Sequence, residues 1–207
     1  MAEAAGARAP LILASASAGR ANSLRRAGIG FRQLPAAIDE RALEIEAAQG
    51  ETGIDAGRLA LMLAAAKAEH VSRGAPEALV IGADQVMECG GVIIHKPATL
   101  EAARQQLATL RGLTHSLNAG ICVARGGQTL WRHIERAQLT MRAFSDAFLD
   151  DYAAAEGETL LTSVGAYRIE GPGIQLFSKV EGDYFSIIGL PLLPLLGYLR
   201  QIGWLEN

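Results

Sequence analysis

The sequence predicts an α/β protein, on three observations. Short apolar runs alternate along the chain with longer stretches whose apolar residues keep helical spacing. Glycine pairs at Gly90-Gly91 and Gly126-Gly127 separate apolar runs in the manner of hairpin turns. Half of the 207 residues are hydrophobic and a fifth are charged, enough apolar material for one α/β domain or two tightly coupled lobes.

The elements follow in order. Pro10 precedes LILAS, residues 11–15, which reads as a strand running into a helix from Gly19 to Ala27 that Gly28 ends. Residues Ile29 to Leu34 form a second expected strand, and AAIDE, residues 36–40, a loop. From about Asp55 to Ser72, Leu59, Met62, Leu63, Ala66 and His70 keep the spacing of a long Ala-rich helix. ALVIGADQVMECGGVIIHKP, residues 78–97, reads as strand, acidic loop and hairpin. Thr99 is placed to cap a helix to Leu110, with Glu101 in its first turn. Strands are expected near Ser116 to Ala124 and Thr129 to Met141, then a helix capped by Ser145 to about Ala155. Residues 165–189, punctuated by glycine, read as loops with short strands or turns. Pro191 and Pro194 suit the first turn of a last helix, with Leu192 to Ile202 as its apolar face.

Composition excludes several function classes. The net charge is -3 and no basic run stands out, so a nucleic-acid partner is not expected. Cys89 and Cys122 match neither a disulfide framework nor a zinc pattern, which points to a reducing compartment. The first residues carry Glu3 and lack a long apolar core, and no stretch has the length of a membrane span. The expectation is one cytoplasmic domain over residues 1–207 with a disordered tail at 1–9, no membrane association, and an oligomeric state left open, a homodimer included.

Candidate chemistry begins at Ser15, Ser17 and Arg20. A strand turning into a helix presents free backbone N–H groups and a positive dipole end, which suits a phosphate. The plainer alternative is that one serine caps the helix. Arg20 shares a helical face with Leu24 and Ala27, and an inward arginine is costly unless an anion or carboxylate meets it. Asp39-Glu40 could be solvated surface, and Lys67, at the edge of an apolar stripe, could snorkel to water. Asp84 follows the apolar run Leu79 to Ile81 and Gly82, at an expected strand end. Lys96 precedes Pro97 and so sits in extended backbone. Together Ser15, Ser17, Arg20, Lys67 and Lys96 supply donors and positive charge. Glu40 and Asp84 supply carboxylates that could hold a divalent metal, Mg²⁺ or Mn²⁺, or activate a water. These are the parts of a triphosphate hydrolase. No G-x-x-x-x-G-K-[ST] or G-x-S-x-G run is present, which argues against P-loop and serine-hydrolase chemistry.

The ordered pieces LILASASAGRANSLRRAGIGF, AAIDE, LAAAKA, VIGADQV, HKP, LRGLTHSLNAGICV and EGDYFSIIGLPL resemble the Maf family of nucleotide pyrophosphatases over nearly the whole chain after Pro10. The resemblance implies a two-lobed fold, similar to inosine triphosphate pyrophosphatase, with a long mixed sheet and a central cleft. It implies metal-dependent cleavage of nucleoside triphosphates between the α and β phosphates. By position Asp84 would be the catalytic acid-base residue, Ser15, Ser17 and Arg20 the phosphate loop, Glu40 the acidic motif, and Lys67 and Lys96 the two lysines. Gln85 and Glu170 stand where the branch resembling 7-methyl-GTP pyrophosphatases has its base-reading pair. A carboxylate there accepts from a guanine N1–H and N2–H₂ edge and suits an N7-methylated ring; alternatively both residues satisfy backbone groups.

Departures from the family pattern fall at two places. Ala18-Gly19 replaces a proline followed by a residue that is often arginine, or aromatic in the 7-methyl-GTP branch, so Gly19 removes a base or phosphate contact. Thr162-Ser163 replaces an Asp-Lys pair before G-A-Y. These losses leave open a rival reading, a nucleotide-binding regulator of cell division or septum formation with weak or no turnover; a third reading, a nucleotidyl or sugar-nucleotide transferase, would also use the basic groups and Asp84.

Overall fold

A computed structural model describes residues 8–49 and 55–206. Of the expected tail, residues 1–7 lie outside the described residues. Arg8 pairs with Glu206 at 3.0 Å, and the Ala9 carbonyl accepts the Trp204 indole N–H at 2.8 Å.

The chain runs β1 (Leu11–Leu13), α1 (Ala18–Arg26), β2 (Arg32–Gln33), α2 (Glu40–Ala48), α3 (Ala56–Arg73), β3 (Leu79–Cys89), β4 (Val92–Ile94), α4 (Leu100–Leu110), β5 (Thr114–Arg125), β6 (Gln128–Met141) and α5 (Asp146–Glu156). Two 3-10 turns, Gly157–Thr162 and Pro172–Leu176, lead to β7 (Phe177–Glu181), α6 (Tyr184–Ile187) and α7 (Leu192–Gln201). The α/β expectation holds as a seven-stranded mixed sheet in the order β2-β1-β3-β5-β6-β7, with β4 beside β3. β1 pairs in parallel with β2 and β3, and the remaining pairs are antiparallel. No helix among the described residues is long and apolar enough to cross a membrane.

Most helices start where a side chain satisfies their free amides: Ser17 caps α1, Asp55 α3, Thr99 α4, Ser145 α5 and Asp183 α6. Three expectations are corrected. The strand expected over Ile29 to Leu34 shrinks to Arg32–Gln33, because only that dipeptide pairs with β1. AAIDE is not a loop throughout: Asp39 Oδ1 accepts the Ala42 N–H at 2.9 Å and starts α2 at Glu40. No residue of α2 is buried, so its apolar periodicity is faint. The acidic loop expected around Asp84 is the middle of the unbroken strand β3.

One face of the sheet receives α3 at unusually close range. Ala60, Ala64 and Ala68 are fully buried against it. A Cβ on Gly82 would lie 2.0 Å from the Ala64 carbonyl oxygen, and one on Gly120 2.4 Å from the Ala60 carbonyl carbon. Glycine at both points allows the helix to rest on strand backbone. The opposite face carries two apolar clusters. Ile81 and Ala83 of β3 belong to one, packed with α1 and α7; Met87 belongs to the other, packed with α4, α5 and residues 160–176. Gln85 lies between them on that face by the two-residue strand period.

Candidate functional site

The cleft opens where β3 has an unpaired edge. β1 pairs with Leu79 to Ile81, and β4 pairs with Met87 to Cys89, so residues 82–86 pair with β5 alone. In this gap strand alternation sends Asp84 toward α3 and Gln85 toward α6. The cleft above has a volume of about 1010 Å³, and all ten residues singled out from the sequence line it.

Lys67, on the face of α3 that Gly82 and Gly120 draw close, reaches both acids. Its Nζ donates to Asp84 Oδ1 at 2.5 Å and to Glu40 Oε2 at 2.8 Å. The Lys67 side chain is 9% exposed and that of Asp84 12%, so the lysine does not snorkel. A buried ammonium is tolerable because it is paired twice. Glu40 is half exposed, at the first turn of α2 where the helix dipole favours a carboxylate. Asp84 Oδ2 and Glu40 Oε1 have no hydrogen-bond partner among the described residues.

Arg20 is inward, as its helical face predicts, but much of its guanidinium is already engaged. Nε donates to the Gly189 carbonyl at 2.8 Å, and Nη1 donates to the Ala83 carbonyl at 2.7 Å and to Ser15 Oγ at 3.0 Å. Nη2 has no partner among the described residues and remains for a ligand. Burial pushes the Arg20 pKa down, while the charges of Asp84 and Glu40 pull it back up. The guanidinium stays charged. Ser17 caps α1, its Oγ accepting the Arg20 N–H at 3.4 Å, while it also lines the cleft. Ser15 Oγ accepts from Arg20 and from the Ser17 amide, which leaves its own proton to donate. The amides of Ala18 and Gly19, at the first turn of α1, have no carbonyl partner within the helix. Lys96 is exposed on the far rim, with no side-chain partner among the described residues.

Gln85 Nε2 donates to the carbonyls of Ser186 and Ile187 at 3.0 and 2.9 Å. Both amide hydrogens are thereby used, and the oxygen alone is left for a ligand. Glu170 is exposed on the loop that follows the first 3-10 turn. Thr162 and Ser163 close local turns: Thr162 Oγ1 donates to the Thr159 carbonyl at 2.6 Å, and Ser163 Oγ to the Tyr167 carbonyl at 2.6 Å. A Cβ on Gly19 would make only ordinary van der Waals contact, at 3.8 Å from the Ile188 carbonyl oxygen and from Ser17 Oγ, so the position can accept a side chain without a clash.

The structure adds Glu44 and His95 to the cleft wall. Glu44 stands one turn after Glu40 on α2, accepts from Arg41 at 2.9 Å, and lies 4.0 Å from His95. The i, i+4 spacing of Glu40 and Glu44 was the available signal, missed because the loop expected at residues 36–40 was followed by no expected element before Asp55.

The chain is 51% identical over 191 residues to a protein of Granulibacter bethesdensis named nucleoside triphosphate pyrophosphatase, covering 92% of this chain and 96% of that one. It is 50% identical over 198 residues to a protein of Rhizobium meliloti named 7-methyl-GTP pyrophosphatase, with 95% and 98% covered. A Brucella abortus protein of that same name is 51% identical over 191 residues, with 92% and 95% covered. The sequence profile described as Maf-like protein matches residues 10–202, and the chain therefore belongs to the Maf family.

Proposed function

We propose that this protein hydrolyses a nucleoside triphosphate between its α and β phosphates, releasing a nucleoside monophosphate and pyrophosphate. The observation that carries the reading is Lys67 bridging Asp84 and Glu40 on the floor of a cleft ringed by Arg20, the α1 amides and Lys96. Relatives at about half identity bear names for this activity.

Asp84 is the group to take a proton from an attacking water. Lys67, donating to its Oδ1 at 2.5 Å, fixes the orientation of its oxygens. As water oxygen bonds to the α phosphorus, the bridging P–O bond breaks and its electron pair leaves with pyrophosphate. Arg20 Nη2, Lys96 and the free amides of Ala18 and Gly19 offset the charge on that leaving group.

The residues also suit a divalent metal. Asp84 and Glu40 each keep one oxygen free, and among the described residues no third His, Cys, Asp or Glu joins them to close a protein cage. Two carboxylates completed by substrate phosphate oxygens and water are the usual holding of Mg²⁺. Mg²⁺ or Mn²⁺ bound there would polarise the phosphoryl oxygens and draw charge from the leaving group.

Guanine, plain or N7-methylated, is the base favoured. Gln85 offers only its oxygen, and Glu170 is an acceptor when ionised, so the pair matches the N1–H and N2–H₂ donors of a guanine edge. Cytoplasmic action fits the unpaired Cys89 and Cys122, and a two-lobed fold akin to inosine triphosphate pyrophosphatase fits the clusters on either side of Gln85. The test is pyrophosphate release from GTP, 7-methyl-GTP, UTP and dTTP with Mg²⁺ or Mn²⁺. One pyrophosphate per triphosphate consumed is expected, and Asp84→Asn should lower the rate by about 10³-fold or more. Unchanged turnover in Asp84→Asn would remove the assignment.

A further inference from the structure

His115, the second residue of β5, is 2% exposed, and nothing in the reaction uses it directly. Its Nε2 lies 2.7 Å from the Tyr167 hydroxyl. Its ring is 5.7 Å from the Tyr167 ring and 5.9 Å from the Phe177 ring, which meet edge to face at 4.8 Å. The other ring nitrogen, Nδ1, is sealed from solvent without a partner among the described residues. Leaving a buried ring nitrogen unsatisfied is costly, so the imidazole is held for its remaining polar contact. Burial pushes the His115 pKa down to about 4, and the ring is neutral at pH 7.

Tyr167 is the hub of the loop over residues 163–170. Ser163 Oγ accepts the Tyr167 N–H at 3.1 Å and donates to its carbonyl at 2.6 Å. A Cβ on Gly165 would lie 2.2 Å from the Tyr167 ring, so the chain turns directly over that ring. Ala166 between them has φ +55, a left-handed conformation that costs a non-glycine residue energy and persists only where neighbours enforce it. Outside the loop, Gln106 Nε2 donates to the Val164 carbonyl at 2.6 Å. Three residues beyond Tyr167 comes Glu170, on the cleft wall.

We propose that His115 and Tyr167 are a positioning pair, in which the imidazole fixes the tyrosine hydroxyl and thereby sets the 163–170 loop and Glu170 against the base of the nucleotide. The inference rests on the nucleotide reading above. It separates base recognition from the chemistry at Asp84, because the pair stands on the β5 end and loop while Asp84 answers to α3.

The test uses Tyr167→Phe, His115→Leu, their double variant, and His115→Gln, whose amide reaches toward the same hydroxyl. Tyr167→Phe and His115→Leu should each raise KM for the preferred triphosphate about tenfold, the effect of one ordinary hydrogen bond. kcat should change less than twofold, and preference over UTP should fall. The double variant should match the singles, and His115→Gln should recover most of the loss. Kd for a non-hydrolysable α,β-methylene triphosphate, by calorimetry, should move in parallel with KM. Lower thermal stability with KM, Kd and base preference unchanged would overturn the pair. So would losses in kcat alone, or additive effects in the double variant. If the wild type releases no pyrophosphate from any triphosphate, the catalytic reading fails while the Kd series still decides this one.

Discussion

The two ends of the cleft are built on different principles. At the proposed phosphate end Lys67 stands on an 18-residue helix and Asp84 in an 11-residue strand, and Gly82 on that strand with Gly120 on neighbouring β5 brings the helix close. Lys67, Asp84 and Glu40 are paired there, and the main chain of α3 and β3 is regular. At the proposed base end Glu170 stands exposed on a loop that contains a left-handed alanine and a tyrosine whose hydroxyl meets His115. On the proposed roles, the chemistry sits on regular elements and recognition on a loop.

Lys67→Met should break the comparison most severely. It leaves Asp84 nearly buried without its cation, and removing one partner of a buried pair costs about 3 kcal/mol or more. Denaturant unfolding should show that loss, alongside a fall in pyrophosphate release of about a hundredfold or more. Full stability in this variant would mean that the ion pair is not what seats α3 on the sheet.

A smaller effect is expected at Gly189, which joins the two ends. Its φ is +93, and a Cβ there would come within 3.3 Å of Arg20 Nε. Gly189→Ala should cost about 1–2 kcal/mol of stability and displace Arg20, lowering kcat/KM by roughly tenfold. Gly203→Ala is the control, since Gly203 has φ +71 but open space around its Cβ position. It should show the backbone cost with activity intact, and equal activity losses in both would refute the Arg20 contact as the cause.

The smallest effect is a pH dependence confined to the base end. His115 takes its proton at about pH 4 when folded, against 6.5 unfolded. Below pH 6.5 the unfolded chain therefore binds a proton that the folded chain refuses, and stability falls as pH drops from about 6.5 toward 4. Melting curves of the wild type and His115→Leu should converge across that interval. Parallel curves would show that the imidazole is not buried neutral.

Legibility in the sequence followed the same division. Caps at Ser17, Asp55, Thr99 and Ser145 and the apolar spacing of α3 mark themselves locally, so those elements were readable. Asp84 was found, but its place in mid-strand was not, because the unpaired edge of β3 depends on where β1 and β4 stop. Lys67 looked like a snorkelling residue until Gly82 and Gly120 brought it inward; close approach is a property of two distant segments. Arg20 was correctly read as inward, yet its ties to the Gly189 and Ala83 carbonyls could not be read from residues so far away in the chain. α2 escaped notice because it buries nothing, and Glu44 with it. The family resemblance supplied Glu170, which no local pattern marks.

Gly19 lines the same cleft as the 163–170 loop, and neither region touches the close contact of α3 with β3. Preference among nucleotides is thus a property that can be rewritten separately. A library restricted to Gly19 and residues 163–170 would sample new bases on an unchanged hydrolytic scaffold, so that one selection for pyrophosphate release could report on many nucleotides at once.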